Sequence, residues 1–249
     1  MGIGAKLGIF SVTGATAASS FSNTFSTVFD GTDDFAEGAS DFESFDGGTQ
    51  MSISFWFKTQ ATSQQEVITQ WDASTNDNRN LRIIFIPSST RVDIYLTQNI
   101  AYRSTSTTIN TDTWHHAVMT YNGGNTGNQR VKFYLDGSVQ SQIGFNGPTA
   151  MKSDPASPLT VGARTDYAFS EFNGNLDEIS IFSAELTSGQ VSTYYNSGVP
   201  TDLTGQSNLI HWWRMGDGDS HPTIEDQVGS YDLTMTNMAS DDLVEDVPS

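Results

Sequence analysis

Carboxylates dominate the residues of this chain that could do chemistry, and their grouping decides which chemistry is open to them. Asp30, Asp33 and Asp34 cluster around Gly31, and Asp177 and Glu178 stand next to each other ahead of Ile179. Hard oxygen ligands carried on loops are what a calcium ion takes. A strand ending in Asp30, paired antiparallel with one beginning near Asp177, would bring Asp30, Asp177 and Glu178 to one rim with Asp33 and Asp34 nearby. One calcium ion is the cofactor expected there; the competing role of the same carboxylates is to accept backbone N–H bonds in tight turns. No segment has the full EF-hand order, although Asp217-Gly218-Asp219 begins like one.

A glycan site needs an exposed aromatic plate with amide or carboxylate partners. Trp71-Asp72, with Asn76, Asn78 and Asn80 in the loop that follows, is the best such cluster, and Tyr102 and Tyr167 come second. In the alternative, Trp71 closes a strand end and its loop is merely solvated. Nucleophilic catalysis finds less support. No serine sits in a Gly-x-Ser-x-Gly elbow. The adjacent pairs Asp33/Asp34, Asp177/Glu178 and His115/His116 point to opposite faces wherever the backbone is extended. The same alternation keeps the two imidazoles from converging on a zinc ion.

The elements that must position these residues read as strands. Met51, Ile53, Phe55 and Phe57 alternate with Ser52, Ser54 and Trp56; Val92, Ile94 and Leu96 alternate with Asp93 and Tyr95. Val131, Phe133 and Leu135 do the same before Asp136-Gly137, a hairpin turn pair, and Ile179 and Ile181 continue the pattern. Trp56, Trp114, Trp212 and Trp213 each lie inside such a pattern and are expected to pack in the core or at an edge. One helix is predicted: Thr187-Ser188-Gly189-Gln190 has capping-box spacing, Val191, Tyr194 and Tyr195 share a face, and Gly198 and Pro200 stop it. It should cover one end of a sandwich with both tyrosines inward.

The chain has 249 residues, enough to bury roughly 70–75% of its unfolded surface. Its formal charge of −18 repels phosphate backbones, so no nucleic-acid partner is expected. No apolar run approaches a membrane span, and no membrane partner is expected. Lys6 ahead of Leu7 and the triplet Ala15-Thr16-Ala17 outline an export signal, but Gly8, Ser11 and Gly14 break its apolar stretch, so none is expected. There is no cysteine, hence no disulfide framework or thiolate metal site. Residues 1–28 lack any acid and read as an extended arm, 29–238 as one sandwich domain, and 239–249 as an acidic tail.

Several pieces in order carry a family resemblance: Phe29-Asp30-Gly31-Thr32-Asp33-Asp34-Phe35, Ile53-Ser54-Phe55-Trp56-Phe57, Trp114-His115-His116-Ala117-Val118 and Val131-Lys132-Phe133-Tyr134-Leu135-Asp136-Gly137. Leu159-Thr160-Val161-Gly162, Phe172-Asn173-Gly174-Asn175-Leu176-Asp177-Glu178-Ile179 and the helix ending Tyr194-Tyr195-Asn196 complete the set. The chain resembles the laminin-G-like, or concanavalin A-like, lectin and glucanase superfamily. The resemblance implies an all-β fold, a two-sheet antiparallel jelly-roll-like sandwich with one short helix. A glucanase of that superfamily would carry Glu-x-Asp-x-x-Glu, placing two carboxyl groups about 5 Å apart. No Glu here has an Asp two positions on, and no enzymatic activity is expected.

A segment like Leu209 to Gly218, followed by Asp226 to Met235, usually opens such a domain and here closes it, with the strand 209–215 completing the sheet. This permuted order is similar to that of virion proteins of tailed phages from marine bacteria. It implies a non-enzymatic structural component of an extracellular phage particle, a capsid decoration or tail-associated protein. Its arm would contact other virion proteins or a neighbouring copy in a homo-oligomer. The alternative is a calcium-dependent lectin or adhesin that binds host or surface glycans.

Overall fold

The computed structural model describes residues 21–72, 79–97, 99–153, 156–164 and 170–249. In chain order its elements are β1 (Ser26–Asp30), β2 (Phe35–Gly38), β3 (Gln50–Thr59), β4 (Gln65–Trp71), β5 (Arg79–Ile86), β6 (Arg91–Leu96), β7 (Asn99–Ser104), β8 (His115–Asn122) and β9 (Val131–Leu135). There follow β10 (Ser138–Val139), β11 (Gln142–Ile143), β12 (Thr160–Val161), β13 (Asn173–Phe182), α1 (Ser188–Tyr195), β14 (Leu209–Trp213), β15 (Thr223–Ile224), β16 (Leu233–Thr236) and β17 (Leu243–Val244). No helix among the described residues is long and apolar enough to cross a membrane.

Two antiparallel sheets face each other. One runs β10-β9-β8-β3-β13-β1-β17, with β14 also on β13; the other runs β11-β7-β6-β5-β4-β12-β2-β16-β15. The alternation read in β3 sets the inner layer: Phe55 and Phe57 meet Phe85 of β5 across the sandwich, at ring separations of 6.1 and 4.6 Å. Each fully buried phenylalanine of this layer contributes about 1.5–3 kcal/mol.

The other face of β3 is also covered, by the 183–204 segment and α1. Phe182, Leu186, Val191, Tyr194, Leu203 and Trp212 form a second apolar cluster there. The helix therefore lies on the outer face of a sheet instead of capping an end. Tyr194 stacks on Phe182 in this cluster, whereas Tyr195 is half-buried beside Trp56. The expected capping box is present, Thr187 Oγ1 accepting from Gln190 N and Gln190 Oε1 from Thr187 N. All five tryptophans except the half-buried Trp114 are buried; Trp114 donates its indole N–H to Asp246.

Two segment boundaries differ from the sequence reading. Residues 26–28 belong to β1, and just ahead of them the Phe21 ring stacks on Trp212 and Asn23 donates to Asp177, both on this chain's own sheet. The acidic C-terminus is not a free tail, since β17 pairs with β1 and Asp246 forms an ion pair with Lys58. The ladder bonds and the cation together hold a segment that charge alone would leave in solvent. The late strand β14 pairs along the second half of β13, and β1 along the first half, so the two share one side of it.

Candidate functional site

Where β1 and β14 meet along β13 the ladder bulges between Asp177 and Ser180, and Glu178 takes a left-handed conformation with φ +48°. A bulge places successive side chains on one face. Asp177 lies opposite Trp56, Glu178 accepts the Trp212 indole N–H at 2.6 Å, and both carboxylates are buried on the outer face. The strict alternation expected of this pair is broken by that extra residue.

The register also separates the expected calcium rim into two places. Asp30 pairs with Asn173, four residues before Asp177, which is roughly 13 Å along the strand. Asp177 accepts from Asn23 Nδ2 at 2.7 Å, and Glu178 accepts from Arg214 Nε at 2.9 Å. Burial, aided by the charge of Glu178, pushes the Asp177 carboxyl well above its usual range. Burial raises Glu178 as well, to about 7, against the pull of Arg214. These two residues are held by Asn23, Trp212 and Arg214 and are not part of the rim.

Asp30, Asp33 and Asp34 do converge, with carboxylate oxygens within 4.8 Å of one another. Asp30 Oδ1 accepts from Thr32 N at 2.7 Å, and Asp34 Oδ2 accepts from Asp30 N at 2.9 Å. The turn passes through Gly31 at φ +75°, where a Cβ would lie 2.6 Å from the Asn173 side chain. Asp34 is buried and its pKa is pushed up to about 6, chiefly by burial; the Asp30 amide opposes the shift, and the charges of Asp30, Asp242 and Asp33 add to it. Asp30 Oδ2, Asp34 Oδ1 and the Asp33 carboxylate receive no hydrogen bond from the described residues. A cavity of about 310 Å³ opens beside them, lined by Thr32, Asp33, Phe35, Ala163, Glu171 and Asn237. Asn237 donates to Asp33 O at 3.0 Å. Sequence reasoning missed Glu171 and Asn237, which lie more than a hundred residues from Asp33; only the packing of β16 on β2 brings Asn237 to it.

The aromatic cluster fares differently. Trp71 is 5% exposed, edge-on to Tyr95 at 5.7 Å, with the Arg79 and Arg82 guanidinium groups 5.4 and 5.8 Å from its ring centre. It is a packed platform under two cations and offers no free face. Asp72 takes a bond from Arg79 Nε through its carbonyl oxygen at 3.4 Å. Asn76, Asn78 and Tyr167 lie outside the described residues. Asn80 and Tyr102 are buried, and the Tyr102 hydroxyl donates to Gln140 O. The histidines alternate as expected. His115 Nδ1 meets Asp136 at 2.8 Å, while His116 meets Ser54 at 2.8 Å, with burial pulling its pKa down to about 3 so that it stays neutral.

Residues 30–192 match the family model for the concanavalin A-like lectin/glucanases superfamily. No curated protein sequence matches the chain. Among solved structures, a Bacteroides ovatus protein described as carbohydrate-binding superposes with a TM-score of 0.67 at 15% identity, covering 92% of this chain and 62% of that one. A heptameric SAP-like pentraxin from Limulus polyphemus gives 0.58 at 14% identity, covering 88% of this chain and 98% of that one. The CBM40 of a Ruminococcus gnavus sialidase, bound to α2,3-sialyllactose, gives 0.50 at 12% identity, covering 68% of this chain and 95% of that one. At these identities the likeness is one of fold. This chain spans under two thirds of the length of the Bacteroides protein.

Proposed function

Because the chain belongs to the concanavalin A-like lectin/glucanases superfamily, we propose that it is a glycan-binding domain whose binding rim is organised by one calcium ion at Asp30, Asp33 and Asp34. The observation that carries this reading is the convergence of three carboxylates with unused oxygens beside a cavity that Asp33 itself lines. Calcium takes six to eight oxygens, so carboxylates from one turn with added water suit it. The ion would supply fixed positive charge at the rim and draw sugar hydroxyl oxygens, while Glu171 and Asn237 would hydrogen-bond the same sugar. Phe35 gives that cavity an apolar wall. The neighbours described as carbohydrate-binding or solved with a sialylated sugar fit this reading. No glycosidase chemistry is assigned to the rim, whose carboxylates serve as ligands.

The test is a glycan array with the full chain in calcium and again in a chelator. Chelator-sensitive binding that Asp33→Asn removes is expected. Silence in both conditions, or binding indifferent to the chelator and to Asp33→Asn, would sink the assignment.

A second reading, a structural component of an extracellular phage particle, draws on the order of segments. Strands β14 and β16 enter the two sheets after the helix, as the permuted form would have them. In that role the N-terminal residues would reach other particle proteins or a neighbouring copy. Particles should then assemble poorly when residues 1–20 are removed, and undiminished assembly would refute it.

A further inference from the structure

We infer that Ser44, His211 and Asp226 form a nucleophilic acyl-transfer site, with Ser44 as the nucleophile, His211 as its base and Asp226 as the residue that positions the imidazole. Ser44 Oγ lies 2.6 Å from His211 Nε2, and His211 Nδ1 lies 2.6 Å from Asp226 Oδ2. This order of contacts is what general-base activation of a hydroxyl requires. An ionised Asp226 can only accept, so Nδ1 carries the imidazole proton and Nε2 is left to take the proton of Ser44.

The surroundings hold that arrangement still. Asp226 Oδ1 accepts from the backbone N–H groups of Trp212 at 3.0 Å and Gly229 at 3.0 Å, and Oδ2 from Tyr231 N at 3.2 Å. Burial opposes its ionisation, but the His211, Gly229 and Trp212 hydrogen bonds outweigh burial and hold its pKa at about 2. The imidazole stacks parallel to Trp213, 3° between planes, and touches Phe42. A side chain at Gly229 would put a Cβ 2.4 Å from Asp226 Oδ2 and 2.8 Å from His211 Nδ1, so only glycine leaves room for the pair. Ser44 itself sits exposed in the short turn Glu43–Phe45, which the buried Phe42 and Phe45 anchor.

The protein contains its own comparisons, for it has four histidines. His115 has Asp136 on Nδ1, but its Nε2 takes the Asn110 backbone N–H at 3.3 Å and serves no nucleophile. His116 has Ser54 on Nε2, but its Nδ1 is buried without a partner. His221 meets the Met238 carbonyl. Among the described residues only His211 joins a hydroxyl to a carboxylate, and it shares a cavity with that hydroxyl.

That cavity, about 440 Å³, has Ser40, Asp41, Glu43, Ser230 and Tyr231 around Ser44 and His211. A second cavity of about 260 Å³ also reaches Ser44, with Phe45, Met51, Met151 and Ile210 in its wall beside the polar Thr49, Gln50 and Ser183. The pair of spaces suits an ester: a short acyl group in the smaller, a neutral or cationic hydroxylic alcohol in the larger, where Asp41 and Glu43 repel anions. Ser44 Oγ attacks the ester carbonyl carbon as its proton passes to His211 Nε2. The carbon–oxygen bond to the alcohol breaks, and Nε2 returns the proton to the departing oxygen. Water, activated by the same nitrogen, then cleaves the Ser44 ester to the free acid. Ser40 and Ser230 line the same cavity, and their hydroxyls would be the donors to the developing oxyanion.

The full chain is treated with a fluorophosphonate and mapped by peptide mass, alongside hydrolysis of p-nitrophenyl butyrate. A single adduct on Ser44 is expected, absent in Ser44→Ala, whose exposed position leaves the fold intact. Labelling should slow on the order of a hundredfold in His211→Gln and in Asp226→Asn, each checked by its melting temperature. A merely structural role for the three residues would move the melting temperatures and leave Ser44 unlabelled in the unaltered protein. That outcome, or labelling at Ser44 no faster than at other exposed serines, overturns the proposal even if His211→Gln fails to fold.

Discussion

At Asp177 and Glu178 two buried carboxylates stand side by side, and the nearby guanidinium of Arg214 bonds Glu178 but not Asp177. Arg214 donates to Glu178 and to Asp217, while the side chain that donates to Asp177 is the neutral amide of Asn23. Asp177 Oδ1 and Asn23 Oδ1 are both buried without a hydrogen-bond donor from the described residues. Two acceptors left facing no donor favour a proton on the carboxyl, the direction in which burial and Glu178 already push it. Asp219 is raised in the same sense, to about 6, chiefly by burial. A carboxyl raised by folding holds its proton more tightly in the native chain than in the unfolded one. Its stabilisation is complete below the ordinary carboxylate range near 4 and is lost as pH climbs through the raised value. Stability should therefore fall from pH 5 to pH 8. Asp177→Asn should shrink that fall, because the amide needs no proton and can donate to Asn23 Oδ1. Urea midpoints at the two pH values check this; an unchanged difference in the variant would refute it.

Among the elements, the strand that closes the first sheet is the one sequence polarity hides. Leu243–Val244 adds an edge to β1, Ser26 Oγ donates to Asp246 O at 2.6 Å, and the Trp114 indole donates to the Asp246 carboxylate at 3.0 Å. Lys58 completes this clasp and holds the Asp246 carboxyl below its usual range despite partial burial. With Asp246 nearly half exposed, solvent screens the ion pair, so Asp246→Ala should cost about 1 kcal/mol or less. Removal of residues 239–249 should cost more, because it also bares the unpaired backbone of β1. The expected signs are a lower melting temperature and concentration-dependent association by light scattering. A truncated chain as stable and monodisperse as the full one would show that the clasp adds nothing.

Over the whole molecule, three sets of carboxylates do three different jobs under one net charge of −18. Those of Asp30, Asp33 and Asp34 are left with unused oxygens at an open rim. Asp177 and Glu178 are buried on the outer face of a sheet, and Asp226 is bound to a histidine and to backbone amides. Burial and hydrogen-bond donors, not sequence clustering, sort them. The rim and the Ser44 cavity share no lining residue, so binding and acyl transfer can be measured apart.

The period-two patterns of β3, β6 and β9, the capping box at Thr187 and the turn at Asp136-Gly137 determine strands, helix and fold class locally, because backbone conformation and face are set by neighbours two to four residues away. The three aspartates around Gly31 were legible for the same reason: one turn brings them together. What lay beyond reach depends on register. A bulge at Glu178 moves two side chains to one face, and the pairing of Asp30 with Asn173 takes Asp177 out of the rim. Trp71 shows no mark in sequence of the two arginines that cover it. Ser44, His211 and Asp226 have no shared motif, since contacts among separate strands and loops are fixed only when the sheets close and bury their inner faces.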